Sequence, residues 1–199
     1  MLKRIKSHIL HHKNAYLFFT ILLIGGVATG IVLVEQFENT ETTHFLSYLF
    51  EPMSNIKEYF KIQFTTNILI LICIFLLGFS VIGIPFISFF IFTKGVQIGL
   101  SSSLLILTYE WKGIFGIILT IIPQVLFELI AFYIVAIVAF EVSYTLIKTI
   151  FQQNTSIKFK KLFNYCMNDL LIASLLVYIS CYMKVTLVQY FIQIFTKYT

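Results

Sequence analysis

Residues 62–93, IQFTTNILILICIFLLGFSVIGIPFISFFIFT, run for 32 positions without a charged side chain, and after Lys94 another 15 uncharged residues lead to Tyr109. A helix rises about 1.5 Å per residue and needs about 20 apolar residues to cross a hydrocarbon layer roughly 30 Å thick. The stretch is therefore long enough for two crossings. An apolar helix breaks most readily at Gly and Pro, which places the turn near Gly83-Ile84-Pro85 or as late as Lys94-Gly95.

Composition extends this reading to the whole chain. Of 199 residues, 59% are hydrophobic and 12% charged, with 22 Phe and 11 Tyr, and mean hydropathy is +0.93. Soluble domains run near 45–50% apolar and about 25% charged, so a soluble globule is excluded, and disorder is excluded by the same apolar excess. The expected class is an all-α integral membrane protein. A net charge of +5 does not indicate nucleic acid, because the Lys and Arg residues lie mostly at the ends of apolar runs and form no basic stripe interleaved with aromatics. Cys73, Cys166 and Cys181 are odd in number and lack CxxC spacing, which argues against a disulfide framework or a zinc site.

Before residue 62, NAYLFFTILLIGGVATGIVLV (14–34) supplies 21 uncharged residues. It exceeds the 7–15 residues of a signal-peptide core and ends without a small-residue cleavage site, so it is expected to be an uncleaved anchor. Glu110-Trp111-Lys112 makes a polar break, and two further runs follow it. The reading is a single membrane domain over 1–199 with five helices near 15–34, 65–84, 87–109, 113–140 and 170–195. Lys3, Arg4, Lys6 and Lys13 mark the N-terminus, and Lys148, Lys158, Lys160 and Lys161 mark the 148–168 loop, whereas the 35–64 loop holds Glu35, Glu38, Glu41, Glu51 and Glu58 against Lys57 and Lys61. The positive-inside rule puts the first two in the cytoplasm of a bacterial cell membrane and the 35–64 loop outside. An odd number of crossings then puts the C-terminus outside.

No HExxH, GxSxG or GxxxxGK[ST] motif is present, no catalytic residue is assigned, and no cofactor is implied. His8, His11 and His12 cluster on the basic entry segment, where interfacial polarity is preferred to metal binding because no Cys or acid is spaced as a partner. Glu128 is the most informative ionisable residue. It lies deep in an apolar run, one helical turn after Gln124 and just past Pro123, whose ring frees a backbone carbonyl. An intramembrane acid must face a partner, a cavity or the bundle interior. The favoured reading is a lock formed with Lys94, Gln97 or free carbonyls, ahead of a proton or solute pathway.

Gly26 and Gly30 form one small-residue stripe, and Gly95, Gly99 and Ser103 repeat at four-residue spacing on another, which suits close helix packing within the chain and leaves homo-oligomerisation open. In the long outer loop, Leu46, Leu49, Met53, Ile56 and Phe60 recur at 3, 4, 3 and 4 residues. Two readings of this stripe stay open: a surface for a partner, or a face resting on lipid or capping the bundle.

From Asn67 to Ala139 the chain resembles the stage II sporulation protein M family. The resemblance rests on Asn67, Gly78, Gly83-Ile84-Pro85, Lys94-Gly95, Gly99, Pro123-Gln124-Val125, Glu128 and Ala131, together with the basic HILHHK start and the long first outer loop. Gln124-Val125 stands where much of the family has His-Gly, and Lys94 where Asn is frequent, so no role of that His is carried over. The resemblance implies a non-enzymatic polytopic scaffold in the membrane that engulfs the forespore, holding membrane-anchored peptidoglycan hydrolase partners whose catalytic domains lie outside the cytoplasm. Other relatives resemble accessory membrane proteins for circular bacteriocin maturation, export or immunity. A third reading, a small proton-coupled carrier, would use Glu128.

Overall fold

The computed structural model describes residues 13–34, 56–80, 82–152 and 159–196, and these are helical apart from a short turn around residues 79–82. The elements are α1 (Lys13–Val34), α2 (Ile56–Gly78), α3 (Gly83–Gly116), a π-helical turn (Ile117–Ile121), α4 (Ile122–Gln152) and α5 (Phe159–Thr196). Four helical stretches are long and apolar enough to cross a membrane: Lys13–Val34, Lys57–Gly78, Gly83–Thr149 and Cys166–Leu187. In the first of these only 22% of the residues are buried within the protein. Ile21, Ile24, Leu76, Phe89, Leu107 and Leu175 are exposed, and an apolar exterior of this kind is stable only against lipid. The protein is a multi-pass helical membrane protein.

The stretch from Gly83 to Thr149 doubles back on itself. Glu110 has φ 48° and ψ −126°, the conformation of the first central residue of a type II′ turn, which glycine normally occupies. A Cβ on Gly113 would run into the carbonyl oxygen of Leu105 and would lie 3.1 Å from Ile106 Cα. Eight residues along a straight helix the separation would be about 12 Å. The chain therefore reverses at the Glu110-Trp111-Lys112 break.

Between α2 and α3 the reversal is tighter. Phe79 and Ser80 donate to the carbonyls of Leu76 and Leu77 at 3.1 and 3.0 Å, and Gly83 donates to Ser80 at 3.1 Å. Ser143 on α4 clamps the turn by donating to the Ser80 carbonyl at 2.7 Å. Of the two places suggested by the sequence, the turn falls at the first and ends at Gly83. Pro85 sits in the first turn of α3, where its missing N–H leaves no helix hydrogen bond unmade. Several boundaries differ from the hydropathy reading, and helix α5 begins at Phe159 rather than near 170, so much of the expected 148–168 loop is helical. Helix α2 begins at Ile56 rather than near 65, so the last third of the expected outer loop is helical, and α4 continues to Gln152, past the expected end near 140. Charged and amide side chains lower hydropathy without lowering helix propensity, so the helices outrun the apolar segments.

Helix α1 packs chiefly on α3, α4 on α5, and α2 bridges α4 and α5. The core is built from Leu71, Ile74, Ile87, Ile91, Phe132 and Val177 with their neighbours. At the end of the bundle marked by the α2–α3 turn, Phe163 of α5 meets Phe75 and Phe79 with ring centroids 6.1 and 5.8 Å apart. Helix α5 therefore starts beside that turn and runs toward the Glu110 end.

Candidate functional site

Lys94 on α3 donates to Glu128 Oε1 on α4 at 2.5 Å and to Asn67 Oδ1 on α2 at 3.2 Å. Its ammonium also lies 4.9 Å from the centroid of the Phe132 ring. Gln124, one turn before Glu128, donates to Glu128 Oε2 at 3.5 Å. Asn67 Nδ2 points to Cys181 Sγ on α5 at 3.7 Å, and Ser180 donates to the Gln124 carbonyl at 2.9 Å. Residues from α2, α3, α4 and α5 thus share one polar cluster. Lys94, Glu128 and Asn67 are 9%, 7% and 5% exposed. Inside a membrane such charges persist only when paired and hydrogen-bonded, and here both conditions are met.

The local backbone explains how Glu128 and Gln124 come to face Lys94. Pro123 would clash with the carbonyl of Leu119, four residues earlier, in a regular α-helix. The π-helical turn Ile117–Ile121 widens the helix at that point, and a π turn also rotates the following residues relative to those before it. Thr120 caps the distortion by donating to the Gly116 carbonyl at 2.7 Å.

On one side of the ion pair lies a chamber of about 290 Å³. Helix α3 contributes Lys94, Gln97 and Ser101, the π-helical turn contributes Thr120, and α4 contributes Gln124 and Glu128. Gln63 and Thr66 come from α2, and Lys184 from α5. On the other side, the apolar core around Leu71, Ile91, Ala131 and Val177 is closed. The pair therefore forms the floor of the chamber, whose walls rise toward the Glu110 turn.

The small-residue stripes meet face to face. A Cβ on Gly26 would run into the Phe92 carbonyl oxygen and would lie 3.1 Å from Gly95 Cα, and a Cβ on Gly30 would strike the Val96 carbonyl oxygen. On the facing helix, Gly95 and Gly99 leave no room before the backbone of Leu23 and Val27. Ser103, one turn further, is half-buried. Gln97 is exposed and lines the chamber without bonding Glu128, unlike Gln124. Of the outer-loop candidates, Leu46, Leu49 and Met53 lie outside the described residues, as do His8, His11 and His12, while Ile56 opens α2. Phe60 is half-buried on α2, 5.9 Å from the Phe64 ring and 5.4 Å from that of Tyr178. Among the described residues, no group of three or more His, Cys, Asp or Glu is placed to hold a metal ion, and the three cysteines are free thiols.

The model of the stage II sporulation protein M family matches residues 18–188. The chain belongs to that family. Neither the curated proteins nor the solved structures contain a match. Membership in the stage II sporulation protein M family points to a sporulation-related membrane protein, and the matched region contains the glycine interface, the ion pair and the chamber.

Sequence reasoning singled out Lys94 and Glu128 as rare intramembrane charges. Cys181, Ser180, Phe132 and Thr120 carried no such signal, because Ser, Thr, Cys and Phe are ordinary residues of membrane helices. Asn67 was noticed only as part of the family pattern. Its role as the second acceptor for Lys94 depends on the α2–α3 turn, which brings the two helices level.

Proposed function

We propose that this protein is a non-enzymatic membrane scaffold that gathers peptidoglycan-remodelling partners at the engulfing membrane during endospore formation. In this reading the chain crosses the cell membrane five times, with the reversal at Glu110 dividing the longest helical stretch in two. The N-terminus and the 148–168 segment are cytoplasmic, and the C-terminus and the 35–55 segment are outside. The observation that supports a scaffold best is how the buried charges are used. Lys94 is held by Glu128 and Asn67, and Glu128 by Lys94 and Gln124. These groups fasten helices to one another and form no nucleophile–base pair. Residues spent in this way make a rigid frame, on which segments outside the membrane can present a binding surface.

The test is chemical crosslinking in native sporulating membranes followed by affinity capture of this chain. Co-capture of membrane-anchored peptidoglycan hydrolases is the expected result. Capture that lacks any wall-remodelling protein, under conditions where the tagged chain supports engulfment, would overturn the proposal.

A further inference from the structure

The chamber beside the ion pair has a defined depth, direction and chemistry, and the scaffold role uses none of them. From Lys94 to Leu105, which also lines it, α3 advances about 16 Å at 1.5 Å per residue. Helices α2 to α5 all line the chamber on the same side of the ion pair. Helix α3 does so from Lys94 toward Glu110, α4 and the π-helical turn from Glu128 back to Thr120, α2 from Thr66 toward Ile56, and α5 at Lys184, beyond Cys181. The chamber therefore extends from the middle of the bundle toward the Glu110 end, over a closed apolar core. Thr66 and Gln97 on its wall are exposed, so it is open and not sealed.

Its ionic groups are already committed. Lys94 and Glu128 hold each other, with Asn67 and Gln124 as further partners, and Lys184 is engaged as well, its ammonium 5.6 Å from the centroid of the Tyr59 ring. What the wall leaves unused is neutral. The side chains of Gln63 and Thr66 on α2, and of Gln97 and Ser101 on α3, form no hydrogen bond among the described residues, and no polar side-chain atom of Gln63 or Ser101 is sealed off. All four lie in stretches long and apolar enough to cross a membrane, within about two helical turns of Asn67 or Lys94. There an amide or hydroxyl must be met by water or by a ligand. Amides and hydroxyls both donate and accept, and the solute that matches them does the same. The hydroxyls of a sugar or cyclic polyol have this property, and several around one small ring can meet α2 and α3 together while its C–H faces rest on Ile98, Leu105 and Val125. An ionic ligand would find no uncommitted counter-charge on the wall, and an apolar one would leave the four side chains unmet. With each water taking about 30 Å³ of liquid volume, the chamber has space for about ten waters, and it sits at the small end of ligand sites, which suits one ring and not a chain of them.

We propose that the chamber binds a small uncharged polyhydroxylated molecule, the size of one monosaccharide ring, which enters from the Glu110 end and is held by Gln63, Thr66, Gln97 and Ser101. The site stands apart from the scaffold role, and neither needs the other to be correct.

The experiment follows thiol labelling of Ser101→Cys, a near-isosteric change within the wall, in full-length protein reconstituted into phosphatidylcholine nanodiscs. Labelling of the native thiols in the parent protein is subtracted. The reagent is the neutral hydroxyethyl methanethiosulfonate. The protectants are glucose, N-acetylglucosamine, myo-inositol and glycerol, set against gluconate and glucosamine as charged molecules of similar size. At least one neutral protectant is expected to slow labelling saturably by the factor 1 + [L]/Kd, about tenfold at ten times Kd, and the charged pair to protect far less. Trp111→Cys, at a position 80% exposed at the same end of the bundle, should be labelled at the same rate with and without them. Gln63→Leu and Gln97→Leu, on separate helices, should each remove the protection of Ser101→Cys while leaving its labelling without protectant unchanged. The proposal is overturned if Ser101→Cys is not labelled, which means a sealed chamber, or is labelled but protected by none of the neutral molecules, which means one holding water alone. It is overturned equally if gluconate or glucosamine protects as well as the neutral molecules, if Trp111→Cys is protected to the same degree, or if both glutamine variants keep the protection.

Discussion

Lys94 and Glu128 lie 34 positions apart in the chain and meet at 2.5 Å within the bundle, each more than nine-tenths withdrawn from solvent. The pair joins α3 to α4, and through Asn67 it reaches α2. A buried pair contributes little net stability relative to apolar residues of the same volume, yet removing one member strands the other charge at a cost of about 3–5 kcal/mol. Glu128→Leu should therefore lower the thermal unfolding midpoint of the detergent-solubilised protein sharply. Glu128→Gln, which still accepts a hydrogen bond from Lys94, should lower it much less. The double variant Lys94→Met/Glu128→Leu should recover most of the loss. If Gln and Leu variants accumulate normally and are equally inactive in engulfment, the charge itself is required and a proton-coupled role for Glu128 replaces the lock.

The glycine interface offers a comparison between adjacent residues. A Cβ on Gly25 would meet nothing within 4 Å, whereas one on Gly26 would meet the α3 backbone. Backbone cannot yield as a side-chain tip can. Gly25→Ala should be neutral or stabilising by about 0.5–1 kcal/mol through helix propensity alone. Gly26→Ala should separate α1 from α3 and lower the unfolding midpoint. Equal effects of the two substitutions would contradict the packing.

Glu110 holds a φ of 48° without being glycine, a conformation that costs a side-chain-bearing residue about 1–3 kcal/mol. Glu110→Gly should raise the unfolding midpoint by removing that strain, and Glu110→Val, β-branched, should lower it. A fall on introducing glycine would mean that the Glu110 side chain supports the turn by more than its backbone strain costs.

Particular residues show how far the sequence reached. The multi-pass helical class was legible because membrane thickness imposes a length on an apolar run, and four helical stretches long enough to cross are present, while Glu110-Trp111-Lys112 marked the reversal that the backbone makes there. Gly26, Gly30, Gly95 and Gly99 could be read as stripes, but spacing on one helix cannot say which helix it faces. The π turn at Ile117–Ile121 was hidden, since Pro123 announces a lost hydrogen bond and not the way the helix accommodates it. The chamber was hidden for a different reason. Gln63, Gln97, Ser101 and Lys184 come from three helices and converge only once the two reversals have set those helices level.

Orientation is open to a direct check. Cysteines placed at Thr40 and Thr155 lie in segments that the positive-inside rule assigns to opposite faces. In intact cells, a membrane-impermeant thiol reagent should label the cysteine at position 40 and leave the one at 155 unlabelled until the cells are permeabilised. The reverse pattern would invert the arrangement of the whole bundle.

Partner recruitment is expected to reside in the segment between α1 and α2, because the proposed orientation puts it outside and its apolar positions alternate with polar ones. Leu46, Leu49 and Met53 can contribute to such a surface at about 25 cal/mol per Å² of apolar area buried, before the costs of association. Phe60 requires separate treatment, since its ring already packs on Phe64 and Tyr178 and its loss would loosen α2 against α5. Replacing Leu46, Leu49 and Met53 together with Ser should abolish co-purification of wall-remodelling partners while leaving the unfolding midpoint close to that of the parent, if the stripe serves a partner and not the bundle. Phe60→Ser should show the opposite signature, a lowered midpoint with partners retained in the fraction that folds. If the triple variant retains its partners at the parental yield, the surface lies elsewhere. If it also unfolds at a much lower temperature, the stripe is a cap on the bundle and not a docking face.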